Sequence, residues 1–423
     1  MIDDKHRKPL LRILNELIES ASRKNLAKPQ RYWYPLSQAS YGTEEMAEAI
    51  DSMVAFRTSM WEKTAKFEEA FASWIGCREA VMVNSGSSAD LLASFLLTDP
   101  QKPLLRPGDE ILLPAVTWPT QVWAPMMAGL RVRFVDVDPA TLNISVEDLE
   151  RKIGERTRAL FLVHLMGNPC RMEPILALAR RHSLIVLEDC CEALGSEWRG
   201  KKVGKFGLAA TFSFFFSHHI TTMEGGMIAT DDLDASDRLR ILRAHGWLRN
   251  TRHLKFDFAN HDVDDRYAFV GWGFNVRPTE LQAGFGLHQL EKLPAFNARR
   301  KLLSGRFFDF IRRSRGLSCP AVEPEAAPSW MALPVMVAAD APFTRADITG
   351  HLEKSGVETR PIVAGNLLRQ PAARLFPDLS SGELPGSDAV HARGFYVGLS
   401  PFVTDAEFDR LLGIFDSFIE SRK

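Results

Sequence analysis

Ala80-Val81-Met82-Val83-Asn84-Ser85-Gly86-Ser87-Ser88-Ala89 is an apolar run that stops at a polar, glycine-containing turn and then re-enters an apolar stretch reaching Leu97. Four consecutive apolar residues bounded by turn formers predict a buried strand, and Ser88 to Leu97 predicts a helix. The unit recurs downstream. Ile111-Leu112-Leu113, Val132 to Val137, Ala159 to Val163 and Leu184 to Leu187 read as strands, separated by helical stretches at Trp118 to Met127, Val146 to Ile153 and Met172 to Arg181. Such alternation predicts an α/β fold with a mixed, mostly parallel sheet covered by helices on both faces.

Two further strands are predicted at Thr211 to Phe215 and Gly226 to Thr230, around a polar turn that carries His218 and His219. A helix is expected over Thr279 to Leu290, ending ahead of Pro294, because proline removes a backbone donor and crowds the preceding turn. Beyond it lies a segment rich in proline and alanine, Pro320 to Pro328. The expected organisation is a helical lead-in at residues 1–30, a large domain at 31–295 and a smaller α/β domain at 296–423.

The chain has 423 residues, 45% of them hydrophobic, enough to bury a large core. Its 52 basic residues face 53 acidic ones, so no global field favours nucleic acid or an anionic membrane as a partner. The charged start, Met1 to Lys8, lacks the apolar core of a secretion signal, and the longest apolar runs, such as Phe212 to Phe216, are too short to span a bilayer. A cytoplasmic protein is expected. Cys77, Cys170, Cys190, Cys191 and Cys319 are odd in number and mostly scattered, which reads as reduced thiols rather than a disulfide framework.

Ligands of open α/β sheets collect beyond the carboxyl ends of the strands. Asn84 to Ala89 sits at such an end and offers free N–H groups, hydroxyls and a helix dipole to a phosphate, although Ser-Gly-Ser-Ser is also an ordinary helix entry. Asp189 ends another predicted strand. A carboxylate there suits a protonated pyridine nitrogen, and equally a cap or a salt bridge. Trp118 follows a third strand and suits stacking on a flat ring or a place in the core.

Together with Glu188-Asp189-Cys190-Cys191-Glu192-Ala193-Leu194-Gly195, Ser213 to Gly226 and Gly273-Phe274-Asn275-Val276-Arg277-Pro278-Thr279-Glu280-Leu281-Gln282-Ala283, the phosphate-type turn resembles, in order and spacing, the DegT/DnrJ/EryC1/StrS group of nucleotide-sugar aminotransferases. The resemblance covers about residues 35 to 420. It implies the aminotransferase fold type I and a pyridoxal 5'-phosphate or pyridoxamine 5'-phosphate cofactor. Gly86, Ser87 and Ser213 would hold its phosphate, with Asn275 of a second subunit completing the cup of a homodimer. Asp189 would pair with the ring nitrogen, Trp118 would stack on the ring, and Glu192, where the family more often has glutamine, would reach the ring hydroxyl.

One departure carries the functional expectation. His218 stands where the aminotransferases have the lysine that anchors the cofactor covalently. An imidazole cannot form that bond, yet it serves as a general base near neutral pH. Histidine here resembles the dehydratase branch, which acts on nucleotide-linked 4-keto-6-deoxysugars at C3, and His219 is then a neighbour supporting it. Two adjacent histidines in a loop are otherwise packing or surface residues. Iron-sulfur members of the branch carry clustered cysteines in the region matching His245 to Gly273, and that stretch has none. With four thiolates the usual requirement, neither an iron-sulfur centre nor another metal is expected.

Ala244-His245-Gly246-Trp247 and Thr359 to Asn366 resemble the deaminating type that acts on GDP-4-keto-6-deoxymannose, with glutamate as amino donor, on the way to a deoxysugar of lipopolysaccharide O-antigen. Arg249, Arg360 and Asn366 are the candidate substrate contacts. The competing expectations are a lysine-free aminotransferase, an iron-sulfur-type enzyme acting on a CDP-linked sugar, and a non-catalytic binder of sugar nucleotides.

Overall fold

The computed structural model describes residues 2–26, 31–258, 262–379 and 382–422, so residues 27–30 of the expected lead-in lie outside the described residues. Seven strands form the central sheet: β1 (Glu79–Val83), β2 (Glu110–Pro114), β3 (Arg131–Val135), β4 (Thr157–Val163), β5 (Ile185–Asp189), β6 (Ala209–Ser213) and β7 (Gly226–Thr230). Their spatial order is β1-β7-β6-β5-β4-β2-β3. The pairs β2/β3, β2/β4, β4/β5 and β5/β6 are parallel, while β7 runs antiparallel to both β1 and β6. The sheet is therefore mixed and mostly parallel, as the alternating pattern predicts. Strands β1, β6 and β7 are buried along their whole length, which is why they read as continuous apolar runs.

The lead-in contains α1 (Asp4–Leu26), followed by α2 (Thr43–Val54) and α3 (Glu62–Ile75). Around the sheet lie α4 (Gly86–Leu97), α5 (Thr120–Met127), α6 (Val146–Lys152), α7 (Met172–Arg181) and α8 (Leu233–Arg243). Ile175, Leu178 and Ala179 of α7 join Leu160, Leu162 and Val186 of the strands in one core layer, and Ala89, Leu92 and Leu96 of α4 join Val81, Ile111 and Phe161 in another.

α9 (Glu280–Arg313) departs from expectation, running straight through Pro294 as a single 34-residue helix. Its start is a capping box, in which Thr279 and Gln282 satisfy each other's backbone donors. A proline inside a helix costs about 3 kcal/mol. Leu290, Leu293, Phe296, Leu303, Phe307 and Phe308 are all buried along α9. At about 1.5–3 kcal/mol for each large apolar side chain, tertiary packing outweighs the local defect. Residue 295, where the sequence suggests a domain change, lies inside this helix.

Beyond α9, strands β8 (Leu317–Ser318), β9 (Ala332–Val337), β10 (Thr359–Pro361) and β11 (Gly394–Gly398) form a second sheet in the order β8-β9-β11-β10, all pairs antiparallel. With α10 (Arg345–Lys354), α11 (Pro385–Arg393) and α12 (Asp405–Glu420) it surrounds a separate core containing Val335, Phe395, Phe408 and Phe415. Phe307 and Phe308 of α9 belong to that core, whereas Leu290 and Leu293 belong to the core beneath the large sheet. All five cysteines are free thiols, and among the described residues no helix is long and apolar enough to cross a membrane.

Candidate active site

Strands β1, β2, β4, β5 and β6 all point the same way, and a cavity of about 510 Å³ opens beyond their carboxyl ends. Each strand delivers residues to it: Gly86 and Ser87 after β1, Trp118 and Gln121 after β2, Met166 after β4, Asp189 and Glu192 around the end of β5, and Ser213 at the end of β6 with Ser217 and His218 beyond it. Arg360 of β10 and Tyr396 of β11 close it from the second sheet. A cleft of about 570 Å³ lies near the start of β5, around Leu184, Lys201 and Lys205. It faces the amino ends of the parallel strands and gathers no carboxyl, histidine or hydroxyl cluster, so the smaller cavity is the candidate site.

The phosphate-type turn is built by close approach. Ser85 caps α4, its hydroxyl accepting from the Ser88 N–H at 3.1 Å. A Cβ on Gly86 would sit 2.5 Å from the Cβ of Ser213, and one on Gly226 would sit 2.3 Å from the Ser85 carbonyl oxygen. Glycine is required at both places by packing. The helix start and the Ser213 hydroxyl thereby border one corner, with the Ser87 and Thr120 hydroxyls 3.0 Å apart beside it. Free amides, hydroxyls and a helix dipole converging in this way suit an anion.

The cavity floor is acidic. Asp189 is 4% exposed and Asp90, from α4, is 2% exposed. The Asp90 carboxyl accepts from the Thr211 hydroxyl at 2.7 Å and from the Gln121 amide at 3.1 Å. Asp189 accepts from the Cys191 N–H at 2.8 Å. Burial pushes the Asp189 carboxyl up to about 6, and burial together with the neighbouring Asp189 raises Asp90 as well. Glu192 accepts from the Met166 N–H at 2.7 Å and is pushed up to about 7, mainly by burial. Three buried carboxyls with raised pKa values around one cavity suit a cationic or proton-donating guest. Trp118 is 57% exposed, leaving its ring free to lie against a planar group.

His218 is partly buried on the loop between β6 and β7, its Nδ1 3.2 Å from the Met331 sulfur. Burial first, and the Arg300 charge second, hold its pKa down to about 4, so the imidazole is neutral at pH 7. Its neighbour has a different task. His219 is fully buried and donates from Nε2 to the Ser329 carbonyl at 2.9 Å, pinning the loop to the segment that leads into β9.

Not every candidate converges on the cavity. Asn366 is 2% exposed, donates to Asp388 at 2.7 Å, accepts from the Leu368 N–H and does not line the cavity. Arg249 stacks over the Trp247 ring at 5.0 Å and does not line the cavity of its own chain. Asn275 is exposed, accepts from the Arg277 guanidinium at 3.0 Å, and also lies outside that cavity. Arg360 lines the cavity while paired with Glu358 at 2.7 Å. Asp90, Gln121, Met331 and Tyr396 line it without having been read from the sequence. Only Asp90 left a signal there, as a single carboxylate in the apolar run Ala89-Asp90-Leu91-Leu92.

The fold and this cavity define an enzyme of the type I aminotransferase class. The chain belongs to the DegT/DnrJ/EryC1/StrS aminotransferase family, whose model matches residues 40–415. It is 36% identical over 370 residues to a GDP-4-keto-6-deoxy-D-mannose 3-dehydratase of Yersinia pseudotuberculosis, covering 86% of this chain and 93% of that one. It is 35% identical over 396 residues to a dTDP-4-dehydro-2,6-dideoxy-D-glucose 3-dehydratase of Saccharopolyspora spinosa, covering 90% and 86% of the two chains. A solved structure of the E. coli GDP-4-keto-6-deoxy-D-mannose-3-dehydratase with bound hydrated PLP superimposes with a TM-score of 0.86, at 34% identity over 90% of this chain and 99% of that one.

Proposed function

We propose that this protein removes the C3 hydroxyl of a GDP-linked 4-keto-6-deoxyhexose, using pyridoxamine phosphate and glutamate as amino donor, as a cytoplasmic homodimer serving lipopolysaccharide deoxysugar synthesis. The observation that carries the proposal is the lining of the cavity: among the described residues it contains His218 and no lysine. A family that normally anchors its cofactor through a lysine amine here presents only a base.

The residues fit the cofactor. The corner where Gly86 meets Ser213 suits its phosphate, the Asp189 carboxyl suits a protonated ring nitrogen, Trp118 suits the ring face, and Glu192 suits the ring hydroxyl. When bound, the cofactor supplies an electron-withdrawing ring and a primary amine that engages the C4 ketone of the sugar. His218, neutral and with Nδ1 resting on Met331, takes up a proton through Nε2 and returns it to the hydroxyl leaving C3. Asp189, ionised once a cation faces it, holds the ring nitrogen protonated, while Arg360 and Tyr396 border the sugar side. Asn275 of the partner subunit completes the phosphate cup. In total, sugar and glutamate give the 4-keto-3,6-dideoxysugar, 2-oxoglutarate and ammonia, the C3 hydroxyl leaving as water and water supplying the ketone oxygen of 2-oxoglutarate. The larger unit, through about residue 295, would hold the cofactor and the smaller would cover the sugar.

The test is incubation with glutamate, pyridoxal phosphate and a panel of GDP-, dTDP- and CDP-linked 4-keto-6-deoxysugars, read by mass spectrometry. Loss of one oxygen with the ketone retained is expected, with the GDP sugar preferred. A 4-amino product that keeps its C3 oxygen would overturn the proposal in favour of amination. A dTDP-linked substrate is the second reading, favoured by the Saccharopolyspora spinosa relative, and the same panel separates the two.

A further inference from the structure

Arg300 lies on α9 between the two sheets and is 4% exposed. Its Nη1 donates to the Met331 carbonyl at 3.2 Å and its Nη2 to the His218 carbonyl at 3.5 Å, while its buried Nε has no acceptor. Among the described residues no carboxylate pairs with it. Taking a guanidinium out of water without a counter-charge is costly, and two carbonyl dipoles offset only part of that cost. Burial accordingly lowers its pKa to about 10.

The guanidinium borders a cavity of about 10 Å³, together with Ser37, Gln38, Ser217, His218 and Ser400. Its lining contains hydroxyls, an amide and one cation, and no acid. The volume matches one water-sized body. The Gln38 side-chain oxygen is also buried without a donor, so the amide is free to turn its N–H groups inward.

We infer that this cavity is a binding site for one small monoanion, a halide or a single carboxylate oxygen, held by the Arg300 guanidinium and the serine hydroxyls against His218. The site is separate from the phosphate corner at Gly86 and Ser213. His218, Ser217 and Met331 line both this cavity and the main one, so the imidazole forms the partition between them.

Occupancy has a consequence for the base. The charged and titratable groups around His218 are Arg300 from α9, His219 from its own loop, Asp90 from α4, Asp189, Cys191 and Glu192 from the end of β5, Glu224 ahead of β7, Arg360 from β10 and Tyr396 from β11. Burial is the larger cause of the imidazole's neutral form, and among these groups Arg300 is the charge that adds to it. An anion beside the guanidinium cancels that push and favours the imidazolium. Only this kinetic consequence rests on the proposed role of His218; the binding claim does not.

The binding test is anomalous diffraction from crystals of the cofactor-loaded enzyme grown in bromide. An anomalous peak against Arg300 in the cavity is expected, lost in Arg300→Met and kept in Arg300→Lys. Density for water alone, or bromide only on the outer surface, would overturn the site. The solution test needs no variant. At constant ionic strength, chloride in place of gluconate should move the acidic limb of turnover to higher pH by about one unit, a tenfold change in protonated fraction. An unmoved limb would refute the coupling. A rise in the glutamate KM with chloride identifies the donor's carboxylate as the natural occupant; an unchanged KM identifies a free halide.

Discussion

Gly86 and Ser213 meet so closely that a methyl group on the first would lie 2.5 Å from the Cβ of the second and 2.9 Å from its hydroxyl oxygen. Non-bonded carbons do not approach to that distance, so the first turn of α4 and the end of β6 hold their spacing only with glycine at position 86. Gly86→Ala should separate them at about 1–3 kcal/mol, the usual strain of overpacking, and weaken pyridoxal phosphate binding tenfold or more. The double variant Gly86→Ala with Ser213→Gly should relieve the collision yet still bind the cofactor weakly, since it also removes the hydroxyl that borders the phosphate corner. Spectrophotometric titration of the cofactor measures both.

His218→Asn should lower C3 deoxygenation at least ~100-fold, within the range of a lost general acid–base, while leaving cofactor affinity within about threefold. His218→Lys should trap the cofactor covalently, seen as a shift in the bound absorption band and as added mass after reduction with borohydride. Product mass spectrometry checks the first expectation. Undiminished oxygen loss in His218→Asn would remove the imidazole from the reaction.

Among the described residues Asp189 and Glu192 form no ion pair, and burial raises both, to about 6 and about 7. A carboxyl whose folded pKa lies above its unfolded value stabilises the fold while protonated, and that stabilisation disappears as pH rises through the folded value. The cofactor-free protein should therefore lose stability between about pH 4 and 7 through these two groups. Asp189→Asn should abolish that part of the loss and raise cofactor-free stability at pH 7 by up to about 3 kcal/mol, one pKa unit corresponding to about 1.4 kcal/mol. It should at the same time cut turnover, because an amide holds no proton on a ring nitrogen. Urea denaturation across this pH window, set beside turnover, tests the opposing signs.

His218→Asn and Asn275→Ala should each be inactive as separate homodimers if Asn275 serves the neighbouring subunit's cavity. Mixed after mild dissociation, they should regain activity, since one of the two sites in a hybrid then carries neither substitution. Activity that stays at zero in a verified hybrid would place Asn275 in its own chain's site.

The large sheet was legible because most of its strands are buried on both faces and read as apolar runs; α7 matches its expected span, Met172–Arg181. α9 was misjudged at Pro294 because the compensation comes from Leu303 and Phe307, side chains that pack in a core the local sequence does not reveal. At the site, order and spacing pointed to Asp189 and Ser213, each at the end of a strand, and to His218 on the loop after β6, and all three line the cavity. The placement of Asn366 was not legible, because a polar residue in a matching stretch looks the same whether it lines a cavity or, as here, bonds to Asp388. Asp90, Met331 and Arg300 escaped because they sit within helices or beyond the first sheet, and only the packing of α9 brings the second sheet over the cavity.

The unbroken course of α9 governs how such a molecule moves. At 34 residues and 1.5 Å per residue the helix is about 50 Å long, seated at one end beneath the large sheet and at the other inside the core of the small one. A stiff shaft shared by both halves allows rocking of one against the other but not the free swing of a tethered lid. Arg300 rides on that shaft with its guanidinium bonded to the His218 and Met331 carbonyls, so the helix fastens the loop that carries the base to the segment that enters the second sheet.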